Sequence, residues 1–206
     1  MICIPIRRKT YKSALETFIM AQKKADVIEV WFDEIKDLTD ENLSKLFKTK
    51  KVPVLYKYQD GKNFERIIQF KPEFIDFDLN SSKTLINKAR KISPKSKIIV
   101  SNHDFDKTPE TKDLLKVLKQ MHQKGADICK IATYANKISD SIRMLSLLSQ
   151  QNSSTIMICM GKEGRITRTT GHLFGNYLMY ASLTPRDRTA EGQLTVDQLT
   201  EILNDY

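Results

Sequence analysis

The sequence predicts an α/β protein whose parallel strands close into a compact (β/α)8 barrel, one domain over residues 1–206. Three observations lead there. Short apolar, β-branched runs alternate with helical segments, the pattern of parallel strands joined by crossover helices. The chain holds eight such strand and helix units, the number a closed barrel needs. Polar residues collect where strands end, the face on which such barrels carry their chemistry. The rival is an open doubly wound sheet, but no G-x-G-x-x-G follows the first strand.

In chain order, residues 2–6 read as the first strand, and Leu15, Phe18, Ile19 and Gln22 follow with helical spacing. Residues 26–33 are a second strand, with Glu29, Trp31 and Asp33 on one parity. Leu43, Leu46 and Phe47 stripe a helix over 38–47, with Thr39 or Asp40 as its N-cap. Residues 52–58 are strand-like, Phe64, Ile67 and Ile68 mark a short helix, and 74–79 is a strand offering Asp76 and Asp78. Leu85, Ile86, Ala89 and Ile92 stripe a helix that ends before Pro94. The strand at 97–101 runs on to His103 at its mouth, and Thr108-Pro109-Glu110 opens a long helix through Leu114, Val117, Leu118 and Met121. Residues 125–132 form the sixth strand, Ile138, Ile142 and Leu145 lie on a helix, and 155–160 is the seventh strand. A helix holding Leu173 and Phe174 leads to a last strand at 177–183, and Val196, Leu199 and Ile202 close the chain helically.

Lys and Arg number 34 against 25 Asp and Glu, a net charge of +9. Such a field favours anionic partners: nucleic acid, acidic membrane or a small carboxylate. Runs such as 45–51 fit a solvated lysine-rich surface, a better account of the charge than nucleic-acid binding. Cys3, Cys129 and Cys159 are odd in number, far apart and inside apolar runs, which suits reduced core thiols rather than a disulfide frame or metal site. The first residues are too short a run for a signal peptide, and no stretch approaches the roughly 18 apolar residues of a membrane span. A cytoplasmic protein without membrane or nucleic-acid partners is expected.

Lys130 stands in the middle of the apolar run Gly125-Ala126-Asp127-Ile128-Cys129-Lys130-Ile131-Ala132. A cation there needs its charge answered or its amine used. If Ile128, Lys130 and Ala132 share the inner face, Cys129 and Ile131 point to the covering helices. A desolvated inner lysine can lose its proton and attack a carbonyl as a Schiff-base nucleophile. Equally, a strand lysine can snorkel to solvent or pair with a carboxylate. His103 on the preceding strand is open between a strand-end structural role and catalysis. Adjacent parallel strands lie about 4.8 Å apart, so two inward side chains at matching heights can act on one substrate atom.

The run Val100-Ser101-Asn102-His103-Asp104-Phe105-Asp106-Lys107-Thr108-Pro109, followed by Lys130-Ile131-Ala132, resembles the type I 3-dehydroquinate dehydratases of the shikimate pathway. Met160-Gly161-Lys162-Glu163-Gly164, Thr167-Arg168, Phe174-Gly175 and Glu191-Gly192-Gln193 follow in the family's order and spacing. The resemblance covers essentially the whole chain, minus the N-terminal hairpin that longer members place under the barrel. It implies a (β/α)8 barrel, often a homodimer, that dehydrates the small anion 3-dehydroquinate to 3-dehydroshikimate without metal or organic cofactor. By the same resemblance Lys130 would form the imine and His103 would serve as general acid and base. Glu29, Arg168, Thr189 and Gln193 would bind substrate, with Arg168 on its carboxylate. A free lysine is neutral in only about one molecule in two thousand at pH 7. Burial and a nearby Arg168 are therefore expected to raise that share and keep the Lys130 amine uncharged. Residues 184–193 match the family's substrate-covering loop.

Two departures stand out. Trp31 and Gln59 occupy positions where the family has arginines; Lys57 lies one pleat below Gln59 and is expected to reach upwards. The family's carboxylate that steadies the histidine has only Asp60 and Glu65 as nearby candidates. Retained dehydratase chemistry with altered substrate fit is the main expectation. The alternatives are a Schiff-base barrel acting on another small hydroxylated keto acid, and a non-catalytic basic binding protein on the same fold.

Overall fold

The structure, a computed structural model, describes residues 1–204. Its strands are β1 (Ile2–Ile6), β2 (Val27–Val30), β3 (Val54–Lys57), β4 (Phe74–Asp78), β5 (Lys97–Asp104), β6 (Ile128–Tyr134), β7 (Thr155–Met160) and β8 (Met179–Tyr180). They pair in parallel in the order β7-β6-β5-β4-β3-β2-β1-β8. At the seam between β7 and β8 the Tyr177 N–H donates to the Thr155 carbonyl at 2.9 Å, so the ring is nearly closed. Outside it lie α1 (Tyr11–Ala21), α2 (Asp40–Thr49), α3 (Phe64–Ile67), α4 (Lys83–Ile92), α5 (Thr111–Gln123), α6 (Ile138–Ser149), α7 (Arg165–Thr170) and α8 (Val196–Asn204). This is the (β/α)8 barrel the alternation predicts. Among the described residues no helix is long and apolar enough to cross a membrane.

The period-2 alternation of the strands divides the apolar residues into two sets. Ile4, Ile28, Tyr56, Ile75, Val100, Cys129, Ile131 and Met157 face outwards and pack under the helices. Cys3, Val27, Leu55, Phe74, Ile99, Ile128, Ile156 and Leu178 face inwards and form the floor of the barrel. Each fully buried Ile, Leu or Phe of these sets contributes about 1.5–3 kcal/mol of hydrophobic stabilisation. The sets hold the ring rigid, and the next inward pleat is where polar side chains begin. Cys3, Cys129 and Cys159 are free thiols buried in the core.

Several local expectations are corrected. The strand expected at 177–183 is ordered as β8 only at Met179–Tyr180: beyond Ala181, Ser182 N–H turns to the Leu194 carbonyl at 2.9 Å and pairs with the stretch entering α8. Thr108 does not open α5, because its hydroxyl is held by Thr133 Oγ1 (2.8 Å) and the Tyr134 carbonyl (2.9 Å); the helix starts at Thr111. Ile138, Ile142 and Leu145 do lie on one helix, α6; its buried face includes Ser141, Met144, Leu145 and Leu148, while Ile138 and Ile142 are exposed. Ser141 Oγ donates to the Glu163 carbonyl at 2.7 Å, which turns that face inwards. Leu173 and Phe174 lie exposed on a 3-10 turn after α7, ended by Gly175. Thr39 rather than Asp40 caps α2, accepting from Asn42 N–H at 3.1 Å.

Candidate active site

Strand register sets the heights of the inward side chains. Ser101 on β5 lies opposite Lys130 on β6, and His103 lies opposite Ala132. His103 therefore stands two residues, roughly 6.6 Å, nearer the mouth than Lys130 on the neighbouring strand. Both line one cavity of about 370 Å³ at the C-terminal end of the barrel, together with Glu29, Trp31, Lys57, Gln59, Arg168, Tyr180, Thr189 and Gln193. A cavity of that size fits a small molecule. All six residues expected to act on substrate line it: Lys130, His103, Glu29, Arg168, Thr189 and Gln193.

A buried layer of charge lies directly above the apolar floor. Lys130 Nζ donates to Asp76 Oδ2 (3.0 Å) and Glu29 Oε2 (3.3 Å) and lies 2.9 Å from the Tyr180 hydroxyl. Lys57 Nζ donates to the other oxygen of the same aspartate, Asp76 Oδ1 (3.0 Å), and to Ser101 Oγ (2.9 Å). Tyr180 O–H donates to Glu29 Oε2 at 3.0 Å. Two ammonium groups and two carboxylates thus form a closed set in which each buried charge has a counter-charge.

This layer decides the protonation states. Burial alone would push the Asp76 carboxyl up, but Lys130 and Lys57, with the Ser101 hydroxyl, hold it well below the usual range. Burial pushes the Lys130 ammonium down, yet Asp76 and Glu29 outweigh it and hold its pKa above that of a free lysine. The expected uncharged amine is thus corrected: the resting Lys130 is a paired cation, and Arg168 is not what sets its charge. His103 behaves in the opposite way. Burial first, then Lys130 and Lys57, push its imidazolium down to about 3, so the ring is neutral at pH 7.

Arg168 sits in the last turn of α7, 6% exposed, with Nε donating to the Cys159 carbonyl at 2.9 Å. Burial lowers its pKa to about 10, still a cation at pH 7. Its guanidinium thus offers a cation to the cavity wall. On the loop over the mouth, Thr189 N–H (2.8 Å) and Oγ1 (3.3 Å) both donate to Gln193 Oε1, which fixes the two side chains at the cavity rim. That loop rests on the end of β7: Gly161 N–H donates to the Glu191 carbonyl at 3.3 Å. Gly192, at φ +77°, leaves no room for a side chain, since a Cβ there would come 2.6 Å from the Gly161 oxygen.

Other expectations are redirected. Asp33 does not continue the parity of Glu29, because β2 ends at Val30 and a 3-10 turn swings Asp33 outwards. It accepts from Tyr56 O–H (2.8 Å), Gln59 N–H (3.0 Å) and Asn63 N–H (3.1 Å), a structural role. Asp60 caps a turn through Lys62 N–H and Glu65 pairs with Lys88, so neither steadies His103. The ring of His103 stacks instead on Phe105, centroids 6.0 Å apart. Trp31 lines the cavity with its indole N–H on Glu29 Oε1 at 2.8 Å, and the Arg7 guanidinium covers its ring at 4.6 Å. Lys57 reaches sideways to Asp76 and Ser101, not upwards. Asp76 is one of the two polar residues the sequence offers on the fourth strand, whereas Ser101 and Tyr180 join the site only in the structure. Their inward parity was a signal available for each.

The family profile described as type I 3-dehydroquinase matches residues 2–206. A 3-dehydroquinate dehydratase of Methanococcus vannielii is 35% identical over 217 residues, covering 99% of each chain. Among solved structures, that of the 3-dehydroquinate dehydratase of Aquifex aeolicus VF5 superposes with a TM-score of 0.84 at 25% identity, covering 100% of this chain and 98% of that one. That of the Geobacillus kaustophilus HTA426 enzyme gives a TM-score of 0.87 over 99% of this chain and 90% of the other; at 23% identity it speaks for the fold alone.

Proposed function

The chain belongs to the type I 3-dehydroquinase family, and we propose that, as a single barrel domain, it converts 3-dehydroquinate to 3-dehydroshikimate by loss of water through an imine on Lys130. The reaction is a step of the shikimate pathway toward chorismate and the aromatic amino acids. The observation that carries the reading is the shared cavity. An amine-bearing strand and a neutral imidazole one pleat higher on its neighbour face the same space, with a buried guanidinium on its wall.

The chemistry follows from that arrangement. Lys130 passes one proton to neutral His103 and adds to the C3 ketone; the carbinolamine hydroxyl takes that proton back and leaves as water, giving a protonated imine. The imine draws electrons from C2 and acidifies its proton. Neutral His103 accepts that proton and then returns it to the C1 hydroxyl, which leaves as water. Hydrolysis of the conjugated imine restores the lysine, so the sum is the loss of one water molecule. Arg168 clamps the substrate carboxylate, for which a planar guanidinium is suited. Thr189 and Gln193 close over it, and Glu29 stays beside the reacting nitrogen. No metal or organic cofactor enters these steps. A homodimer in the cytoplasm belongs to the same proposal, and sedimentation equilibrium checks the dimer.

Trp31 and Gln59 on the cavity wall favour a second reading, the same imine chemistry on another small hydroxylated keto acid. Borohydride reduction with 3-dehydroquinate, followed by intact-mass and peptide mapping, tests both. A reduced adduct on Lys130 together with enone absorbance from product supports the dehydratase. An adduct without turnover supports the second reading, and no adduct with no enone absorbance overturns both.

A further inference from the structure

The cavity floor holds a second buried lysine that the reaction as drawn leaves without a task. Lys57 is 6% exposed, on β3, and shares the Asp76 carboxylate with Lys130, one ammonium on each oxygen. Burying another cation costs several kcal/mol, so its presence beside the reacting amine calls for a reason. We propose that Lys57 is a positioning residue for this reaction, which holds Asp76 from the side and takes over its negative charge when Lys130 gives up its proton. The inference deepens the imine reading and rests on it.

Charge is balanced around a single nitrogen. The groups facing Lys130 are Cys3 from β1, Glu29 from β2, Asp76 from β4, His103 from β5 and Tyr180 from β8, with Lys57 across the aspartate. Cys3 is a buried thiol held neutral, because burial and then Glu29 raise it. Tyr180 is likewise held as a neutral phenol by burial and then Glu29. His103 is neutral as well. Two carboxylates therefore oppose deprotonation of Lys130, and Lys57 is the cation seated on one of them. Without it, loss of the Lys130 proton would leave two unbalanced carboxylates in a buried layer. With it, Asp76 keeps a partner and only Glu29 is left, next to the Tyr180 hydroxyl that donates to it. A like charge within about 4–6 Å shifts a lysine by about one to three pH units, and each unit changes the free-amine fraction tenfold.

The test reads the free amine of Lys130 without relying on 3-dehydroquinate. Cyanate carbamylates only unprotonated amines, and peptide mapping over time gives the rate at Lys130 at pH 8. In Lys57→Met the rate should fall at least about tenfold. In the double variant Lys57→Met/Asp76→Asn, which removes one charge of each sign, it should return to within about threefold of wild type. A merely structural Lys57 would give no such return. If Lys57→Met does not fold, Asp76→Asn is compared with the double variant, which should react about tenfold more slowly. Equal rates in either comparison overturn the inference, as does borohydride trapping of substrate on Lys57. A wild type that traps no 3-dehydroquinate, while the cyanate rates still differ as stated, overturns the functional reading and with it the role of Lys57 in that reaction, and leaves only its effect on the Lys130 amine.

Discussion

The Lys130 ammonium and the Asp76 carboxylate stand 3.0 Å apart on strands that are not neighbours, β6 and β4. The contact passes over the intervening strand β5, so it depends on the curvature of the sheet and on the register of three strands. Asp76 is fully buried and holds two ammonium groups at once. That makes it the member of the layer whose loss should be felt most.

Asp76→Ala should cost about 3–5 kcal/mol of stability at pH 7, since it leaves buried cations without their partner. Urea unfolding measures it. Asp76→Asn should cost less, because the amide still offers a carbonyl oxygen to the lysines. The folded pKa of Asp76 is depressed, so its contribution is complete above the unfolded value near 3.9 and is lost as pH falls further. In Asp76→Asn the acid side of the stability curve should therefore be flatter.

His103 should titrate far from an ordinary histidine. Its folded pKa of about 3 lies below the unfolded 6.5, so the unfolded chain binds the extra proton between those values and His103 makes the fold less stable as pH falls through that window. Histidine ring resonances followed by NMR should show one that does not move between pH 8 and about 5. An acid limb near 6.5 that disappears in His103→Gln would contradict this assignment.

Trp31 is the single tryptophan of the chain and lines the cavity, so its fluorescence should report ligand binding directly. In a titration with 3-dehydroshikimate, the proposed clamp predicts that Arg168→Ala raises the midpoint about tenfold to a hundredfold, as expected for losing one hydrogen-bonded charge. Trp31→Phe keeps the ring but loses the hydrogen bond to Glu29, and should lower kcat/KM by about threefold to tenfold.

Gly192→Ala should leave the barrel folded and impair the loop over its mouth. The added methyl meets the Gly161 carbonyl, and the backbone there is left-handed. Expected outcomes are a fall in kcat/KM of at least about tenfold, an unchanged unfolding midpoint, and faster proteolysis within residues 184–193.

Much of this architecture was legible in the chain alone. Strand and helix alternation is a local property, and the inward parity of Lys130 and His103 follows from a two-residue period that needs no partner. The motif runs around those two residues, and around Arg168 and Gln193, identify the family for the same reason: they are short and contiguous. Asp33 escapes that pattern because β2 gives way to a 3-10 turn and takes it off the parity of Glu29.

The charge state of Lys130 lay beyond any local pattern. Its partners Glu29, Asp76 and Tyr180 are 101, 54 and 50 residues away, and only barrel closure and register bring them to one nitrogen. For the same reason Lys57 turns sideways instead of upwards, since an inward lysine can snorkel outwards or turn to a carboxylate on the next strand. Sequence thus determined the barrel, the family and the faces on which Lys130 and His103 lie. Tertiary structure alone decided which of them are charged, because electrostatic energy depends on distance through space and on exclusion from water.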